Sequence, residues 1–356
     1  MNLNNEVITE KNTVAWRAPS NIALVKYWGK SGIQIPMNPS ISLTLSKCYS
    51  ETSIKWVMNE DQKEINFNFF INGESDSKFN AKILKFFERI SQIDERIKKI
   101  SFSINSKNTF PHSTGIASSA SGFAALALCI VNILFNLDGK KVSIINPNDE
   151  FLIQSSLMAR LGSGSACRSI YPLFSLWGKF DYLDNSNNEY AIALKSIHPN
   201  IENLKDAIII VDDKPKDVSS TVGHSLMNEH VFRDIRIEET NKNINLALES
   251  IKSGDFNALG NIIEKEALML HALMMTSQPP YILIKANSLL IIEEVKKFRA
   301  ESNIDLFFTL DAGPNIHLIY QKENETIVES FINKELKNFY IKAIIDEAGL
   351  GPQKIY

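Results

Sequence analysis

Hydrophobic positions recur along the chain with two different spacings. Short apolar runs rich in β-branched and aromatic residues predict strands, and longer stretches with helical spacing separate them. The predicted strands cover residues 52–58, 65–70, 100–105, 207–212, 306–310 and 316–320. The predicted helices include residues 115–135 and 149–160. This mixture of strands and helices predicts an α+β fold.

The most apolar segment, residues 123–135 (FAALALCIVNILF), is too short and too interrupted to span a bilayer. We therefore expect it to be a buried core helix. Residues 1–16 are polar and mixed in charge, unlike a secretory signal peptide. Neither segment predicts an association with a membrane.

Length and composition allow two packed lobes. The chain has 356 residues, of which 44% are hydrophobic, enough to build a full core. The polar stretch 181–200 is the best candidate for the lobe boundary, although part of it could form a hairpin. We predict an N-terminal lobe over residues 1–190 and a C-terminal α+β lobe over residues 191–356. An active site would then lie in the cleft between the lobes.

Charge and cysteine content narrow the choice of partner and compartment. A formal net charge of -3 supplies no general attraction to nucleic acid or anionic lipid, so anion binding would need a local cluster of cations. The three cysteines, Cys48, Cys129 and Cys167, have neither CxxC nor metal-binding spacing. Scattered cysteines in odd number suit a reducing compartment, and we expect the protein to be cytoplasmic.

The stretch 110–128, FPHSTGIASSASGFAALAL, places small residues at the mouth of a predicted helix. If Gly115 ends a turn there, the free N–H groups of the first helical turn, the helix dipole and the hydroxyls of Ser118, Ser119 and Ser121 converge on one point. Such a point would bind phosphate. An ordinary serine cap followed by a small-residue packing seam would give the same spacing, so both interpretations stand.

A second small-residue loop, ARLGSGSACRS at residues 159–169, contains Arg168. It lacks the Gly-Lys-Ser/Thr ending of a Walker A loop and the third glycine of a dinucleotide fingerprint. A guanidinium in such a loop suits two-pronged binding of carboxylate or phosphate. Alternatively, Arg168 is a surface ion-pair partner.

Three further segments carry polar groups beside predicted strands. In residues 18–30, Lys26 and Lys30 bracket two aromatic residues at the end of a strand, where they could cover an anion or simply extend along a half-buried strand. Asp311 follows the strand 306–310 and precedes Gly-Pro, a common turn position. Residues 214–224, KPKDVSSTVGH, form a predicted loop that could equally be solvated and inert.

Taken together and in this order, the segments resemble the diphosphomevalonate decarboxylase family. The resemblance rests on NIALVKYWGK, PMNPSISLTL, FPHSTGIASSASGFAALA, ARLGSGSACRS, KDVSSTVG, HALMMTSQPPYIL and TLDAGPN, which span most of the chain. The phosphate loop alone would indicate only the superfamily of galactokinase, homoserine kinase, mevalonate kinase and phosphomevalonate kinase. KYWGK, GSGSACRS and DAGPN are specific to the decarboxylase branch. The resemblance implies the two-lobed fold of these small-molecule kinases.

The resemblance also implies a reaction, the ATP-dependent decarboxylation of mevalonate 5-diphosphate to isopentenyl diphosphate. A tertiary alcohol is a poor leaving group, so it is phosphorylated before the adjacent carboxylate is lost as carbon dioxide. In the family pattern Asp311 accepts or orients the hydroxyl proton, Arg168 binds the substrate carboxylate, and Lys26 stabilises charge as phosphate departs. ATP is the co-substrate and Mg²⁺ the implied metal, with no residue assigned to the metal.

The same family pattern assigns binding roles. The implied substrate contacts are Tyr27, Lys30, Ser165, Ser220 and Thr221. The implied nucleotide contacts are Gly115, Ser118, Ser119 and Ser121. His112 and His224 depart from the pattern, since many relatives carry a small residue and a methionine there. Because relatives are often homodimers, we also expect a homodimer that binds neither nucleic acid nor membrane.

Two alternative functions stay open at this point. A kinase of mevalonate or of a mevalonate phosphate would keep the phosphate loop but release a stable phosphorylated product. A non-catalytic ligand sensor would be expected to lose a member of the set Lys26, Arg168 and Asp311, and this chain retains all three.

Overall fold

The computed structural model describes residues 12–110, 116–214 and 217–356, and Gly115 and His112 lie outside this part of the chain. The strands, in chain order, are β1 (Thr13–Val25), β2 (Lys30–Ser31), β3 (Ile35–Pro36), β4 (Ser40–Met58), β5 (Asn66–Ile71), β6 (Ile100–Asn108), β7 (Phe174–Trp177), β8 (Ile192–Ala193), β9 (Leu204–Ile210), β10 (Leu306–Thr309), β11 (Ile316–Gln321), β12 (Lys342–Glu347) and β13 (Gln353–Lys354). The helices are α1 (Ser77–Ile90), α2 (Ser118–Leu137), α3 (Glu150–Gly162), α4 (Pro199–Glu202), α5 (Ser220–Ser225), α6 (Arg233–Ser253), α7 (Phe256–Met275), α8 (Ala286–Ser302) and α9 (Glu325–Lys334).

Two sheets organise these elements. The first sheet has the strand order β13-β1-β4-β6-β5, and β7 and β8 extend it from β4. Its pairs are antiparallel except for β5 with β6, which is parallel. The second sheet has the order β10-β11-β9-β12 and is antiparallel throughout. The α+β prediction is confirmed, and each strand predicted from the sequence overlaps a strand of one of these sheets.

The predicted core helix is α2. Among the described residues it is the one helix whose length and hydropathy would allow it to cross a membrane, yet most of it is buried inside the structure. It packs with Trp16, Ile54 and Phe102 of the first sheet, because an apolar surface around nearly the whole helix is stable only when it is covered on all sides. The interpretation of residues 123–135 as a core helix is therefore confirmed.

The two sheets share a core. One hydrophobic cluster combines Ile22 and Leu43 of the first sheet with Ile208 and Phe307 of the second, and with Ile244 of α6. A buried carboxylate adds a polar connection, because Asp346 on β12 accepts hydrogen bonds from the main-chain N–H groups of residues 46–48 on β4. These contacts join the first sheet, which includes β1, to the second sheet, which includes β10.

Two segments differ from the sequence-based expectation. The segment 214–224, predicted to be a loop, contains α5, whose first turn is capped by the Ser219 side chain. Within the polar stretch 181–200, two residues form β8. This strand pairs antiparallel with β7, which precedes the stretch. The division at residue 190 stays a prediction, and both β8 and β13 belong to the first sheet although they follow that position.

Candidate active site

Lys26 lies directly after the end of β1, in a position where nearly every polar atom is bonded. Only 1% of its surface is exposed. Its Nζ donates to the Ala23 carbonyl at 2.6 Å and to Asp311 Oδ1 at 3.0 Å. Burial lowers the pKa of Lys26, and the charge of Asp311 opposes that effect by stabilising the ammonium. Lys26 is therefore buried and hydrogen-bonded at Nζ, and does not simply extend along a half-buried strand as the alternative interpretation had it.

Asp311 follows β10 and turns its carboxylate toward this ammonium. Its side chain is 32% exposed, so one side of the carboxylate is open to a ligand. Burial by itself would raise the pKa of Asp311, but the charge and hydrogen bond of Lys26, with smaller effects from His317 and Arg168, lower it below its ordinary value. The carboxylate is therefore ionised at neutral pH and can accept a proton or a hydrogen bond.

Arg168 lies in a 3₁₀ helix, Gly164–Ile170, that follows the Gly/Ser loop. Its side chain is buried, and Nη1 donates to the Ser40 hydroxyl. In the described part of the chain its Nε has no hydrogen-bond partner. Burial lowers the pKa of Arg168, and the charge of Asp311 is among the groups that stabilise the guanidinium. Because Arg168 is buried, the alternative that it is a surface ion-pair partner does not hold.

Aromatic rings line this charged cluster of Lys26, Arg168 and Asp311. The ring of Tyr27 lies 4.7 Å from Trp177 and 4.3 Å from His224. Burial raises the pKa of Tyr27, and its buried hydroxyl has no partner among the residues described. A buried hydroxyl and a buried guanidinium N–H that both lack acceptors indicate a place for a ligand with anionic or polar oxygens.

His224 is held between two aromatic residues. Its ring centroid lies 4.5 Å from that of Trp28, and Nδ1 accepts a hydrogen bond from the Gly29 N–H at 3.0 Å. Burial, aided by the charges of Lys30 and Arg168, lowers the pKa of His224 to about 3. The imidazole is therefore neutral at physiological pH, and the Gly29 bond assigns the proton to Nε2.

The predicted phosphate helix begins at Ser118, after Ala117 in a left-handed conformation with φ 32°. Ser119 is exposed at the helix start, and its hydroxyl lies 3.3 Å from that of Ser163. Ser163 lies in turn 3.5 Å from the Ser165 hydroxyl, so the two small-residue loops meet. The structure thus places Ser118, Ser119 and Ser165 in one polar region.

Ser121 occupies a different position. It is fully buried, and its hydroxyl lies 2.7 Å from that of Ser50 on β4. One turn into the helix, this side chain faces the sheet and not the open helix start. The expectation that Ser121 lines the nucleotide is corrected on that ground.

The remaining predicted substrate contacts are less enclosed. Lys30 is half-buried and donates to Gln34 Oε1 at 3.2 Å, and burial lowers its pKa. Ser220 and Thr221 are exposed in the first turn of α5. The structure brings Lys30 close to His224, while Ser220 and Thr221 are placed on the helix that carries His224.

A buried ion pair that the sequence did not predict lies behind Lys26. Glu266 of α7 accepts the main-chain N–H of Lys26 at 2.8 Å and two hydrogen bonds from Arg236 of α6. Asn38 donates to the Lys26 carbonyl at 2.9 Å. The sequence carries no clear signal for this pair, because Glu266 follows Glu264 and Lys265 in α7 and the three charged residues look alike in the sequence.

The side chains that could coordinate a metal ion limit how such an ion would be bound. No group of three or more His, Cys, Asp or Glu side chains with suitable geometry occurs in the described ranges. Mg²⁺ commonly binds through one or two protein ligands together with substrate phosphates and water. The Ser118 and Ser119 hydroxyls at the start of α2 are oxygen donors of the kind that such an ion uses.

Comparison with known families matches both halves of the chain. A model of the diphosphomevalonate decarboxylase-like N-terminal domain matches residues 18–188. A model of the mevalonate 5-diphosphate decarboxylase C-terminal domain matches residues 207–348. The charged cluster draws Lys26 and Arg168 from the first match and Asp311 from the second.

Individual relatives agree with the family models. The diphosphomevalonate decarboxylase of Debaryomyces hansenii is 32% identical, and the match covers 94% of this chain and 93% of the relative. The crystal structure of mevalonate diphosphate decarboxylase from Staphylococcus aureus is 32% identical, covers 97% of this chain and 98% of its own, and superposes with a TM-score of 0.81. A structure described as MDDEF in complex with MVAPP, AMPPCP and magnesium is also 32% identical, with coverage of 96% and 98% and a TM-score of 0.80.

Proposed function

The chain belongs to the mevalonate 5-diphosphate decarboxylase family, and we propose that Lys26, Arg168 and Asp311 carry out the reaction of that family. The reaction is the ATP-dependent decarboxylation of mevalonate diphosphate, with the fold of the small-molecule kinases as its scaffold. The observation that supports these residue roles is the 3.0 Å contact between a buried ammonium and a half-open carboxylate, next to a buried guanidinium whose Nε lacks a partner among the described residues.

Asp311 would act first. Its carboxylate accepts the proton of the substrate's tertiary hydroxyl while the hydroxyl oxygen attacks the terminal phosphorus of ATP and the bond to ADP breaks. The lowered pKa of Asp311 keeps the carboxylate ionised for this step. Because Asp311 is held by Lys26 on one oxygen, the open side of the carboxylate remains available to the hydroxyl.

Lys26 and Arg168 would act on the charges that follow. Arg168 would bind the substrate carboxylate with its guanidinium, whose Nε has no partner among the described residues, and Lys26 would stabilise the negative charge as the new phosphate leaves the tertiary carbon. The bond to the carboxylate then breaks, carbon dioxide departs, and its electron pair forms the alkene of isopentenyl diphosphate. Burial holds both side chains in place before the substrate binds, so neither would need to be reoriented during the reaction.

ATP and Mg²⁺ complete the reaction. Mg²⁺, when bound with the nucleotide, offsets the charge of the phosphates. We propose that Ser118 and Ser119 at the start of α2 contact this region, and that Tyr27, Lys30 and Ser165 contact the substrate. The exposed Ser220 and Thr221 would meet the substrate only if α5 approaches it, which domain closure could achieve.

A cytoplasmic location and a homodimer are also part of the proposal. The three cysteines are buried and unpaired, which suits a reducing compartment. Light scattering coupled to gel filtration would test the homodimer, and a single monomer mass at assay concentration would contradict it.

One incubation tests the function and its alternative. ATP and mevalonate 5-diphosphate should yield ADP and carbon dioxide in equal amounts. ADP without carbon dioxide would indicate the kinase that the sequence left open, and neither product would indicate a ligand sensor. The matched relatives are decarboxylases, which does not favour the kinase.

A further inference from the structure

The main chain of Lys26 is held from two sides by the buried ion pair of Arg236 and Glu266. Glu266 Oε2 accepts the Lys26 N–H at 2.8 Å, and Arg236 Nη2 donates to the Lys26 carbonyl at 2.9 Å. Arg236 and Glu266 are 1% and 0% exposed. The two peptide groups that flank the Lys26 Cα are thus both bonded to one rigid pair, so the Lys26 main chain can shift only if that pair shifts.

The carboxylate of the pair is densely hydrogen-bonded, whereas the Nε of Arg236 has no partner among the described residues. Arg236 donates to both Glu266 oxygens at 2.8 and 2.7 Å, and Asn243 donates to Oε1 at 2.5 Å. With the Lys26 N–H, the carboxylate accepts four hydrogen bonds. This bonding offsets the desolvation of a buried charge and fixes the geometry of the two-pronged contact between Arg236 and Glu266.

The same helix, α7, also holds the strand that leads to Asp311. Two residues before Glu266, Glu264 accepts hydrogen bonds from Arg299 and from the main-chain N–H of Phe308 on β10. At Gly260 the helix lies so close to β10 that an added Cβ would come 2.1 Å from the Phe307 ring. One helix therefore holds both sides of the Lys26–Asp311 contact, Lys26 through Glu266 and Asp311 through β10.

We propose that Arg236 and Glu266 are positioning residues, which set the distance between Lys26 and the Asp311 carboxylate by holding the Lys26 main chain against α7. This inference rests on the proposed function, because it assigns the pair a role in the reaction of Asp311. Neither residue touches the reacting atoms.

The consequence is electrostatic. The pKa of Asp311 is affected by Lys26 at the end of β1, by Arg168 on the 3₁₀ helix and by His317 on β11. Asp311 in turn affects the pKa of His224 on α5. Burial raises its pKa, and Lys26 makes the largest opposing contribution. A Lys26 that is held less firmly would oppose the effect of burial less, so the pKa of Asp311 would rise.

Arg236→Lys is the main test variant. It keeps a positive charge opposite Glu266, but a single ammonium cannot reproduce the fork and the bond to the Lys26 carbonyl together. We expect kcat to fall at least tenfold, the acidic limb of kcat/KM to move upward by about one pH unit, and the KM for ATP to change little. Glu239→Gln is the matched control, because it weakens the exposed Glu239–Lys265 ion pair, which joins the same two helices without contacting Lys26.

A carbon-13 titration of aspartate side chains measures the same quantity without substrate. The Asp311 signal is identified by its loss in Asp311→Asn, and its pKa should be higher in Arg236→Lys than in wild type and in Glu239→Gln. Should Arg236→Lys fail to fold, the double variant Arg236→Met/Glu266→Gln removes both charges together, which buried pairs tolerate better than the loss of one partner.

The outcomes separate the inference from the proposed function. A folded Arg236 variant with the wild-type Asp311 pKa and a wild-type acidic limb would overturn the positioning role. An inactive wild-type protein would overturn the proposed function, while the titration would still decide whether the pair controls Asp311.

Discussion

Replacing Asp311 with asparagine should abolish the chemistry at small cost in stability. Asparagine has nearly the same size, and its Oδ1 can still accept the hydrogen bond that Lys26 Nζ makes at 3.0 Å. It cannot take a proton, so kcat should fall at least about 10²-fold, the low end for a general base. Release of ADP and of carbon dioxide should fall together, because phosphorylation precedes decarboxylation.

The stability change can be worked out from burial. Lys26 is almost fully buried, whereas the Asp311 side chain is 32% exposed, so the variant leaves a buried ammonium with a neutral partner. Exchanging a charged for a neutral hydrogen-bond acceptor costs about 1–2 kcal/mol. The folded-state pKa of Asp311 is lowered, so its stabilising contribution is present above its ordinary value near 3.8 and is lost as the pH falls through the folded value. The stability difference between wild type and variant should therefore shrink below about pH 4.

Rapid-quench assays of both products and urea unfolding at several pH values test these expectations. Asp305→Asn, a change at the other end of β10 where Asp305 contacts Asn257, is the control and should behave as wild type. If Asp311 served only as a turn residue, asparagine would suit the turn equally well and activity would survive. Turnover of Asp311→Asn within a few-fold of wild type would refute the catalytic role.

Three other changes give distinct expected results. Ser119→Ala should raise the KM for ATP without changing thermal stability. Ser121→Ala should lower the free energy of unfolding by about 1 kcal/mol and leave that KM unchanged. The reverse pattern would contradict an open position for Ser119 and a buried one for Ser121. Arg168→Lys should lower kcat/KM for mevalonate diphosphate by about 10²-fold or more, since an ammonium cannot bind a carboxylate with two prongs, and near-normal turnover would remove Arg168 from the site. The pKa of His224 is about 3, and in His224→Asn the asparagine can still accept the Gly29 N–H. This variant should therefore leave the pH dependence of activity between pH 5 and 9 unchanged. Loss of a wild-type inflection near pH 6 in the variant would show that His224 titrates in the enzyme.

Local patterns predicted much of the fold. Strands such as β6 and β11 stand out because apolar and β-branched residues form compact runs between polar segments, and α2 because its apolar run exceeds strand length. The short helix α5 could not be predicted in this way. Its sequence STVGHS includes β-branched residues and a glycine, which disfavour helices, so its conformation depends on the Ser219 cap and on contacts from distant residues.

The site was predictable only in part for a similar reason. Lys26 and Asp311 are 285 residues apart, and no local pattern joins them, so the resemblance of whole motifs was needed to place them together. Ser121 was misplaced because serine spacing alone does not show which side of α2 faces the sheet. Glu266 was missed because a glutamate in a helix is ordinarily solvated, and only the tertiary structure reveals that it meets Arg236 and Lys26 in the core.

Burying the positive charges of the site costs free energy that a bound anionic ligand would offset. Lys26 and Arg168 are both buried, burial lowers the pKa of both, and among the groups described at the cluster Asp311 is the carboxylate they share. A folded protein gains no stability from a buried cation without a full counter-charge. In the proposed reaction, a substrate with a carboxylate and phosphates would supply that counter-charge and would bond the Arg168 Nε and the Tyr27 hydroxyl, which have no partner in the described part of the chain. If Lys26 and Arg168 have the proposed roles, the free energy lost in burying them is offset when substrate binds, and they need no reorientation when negative charge develops in the transition state.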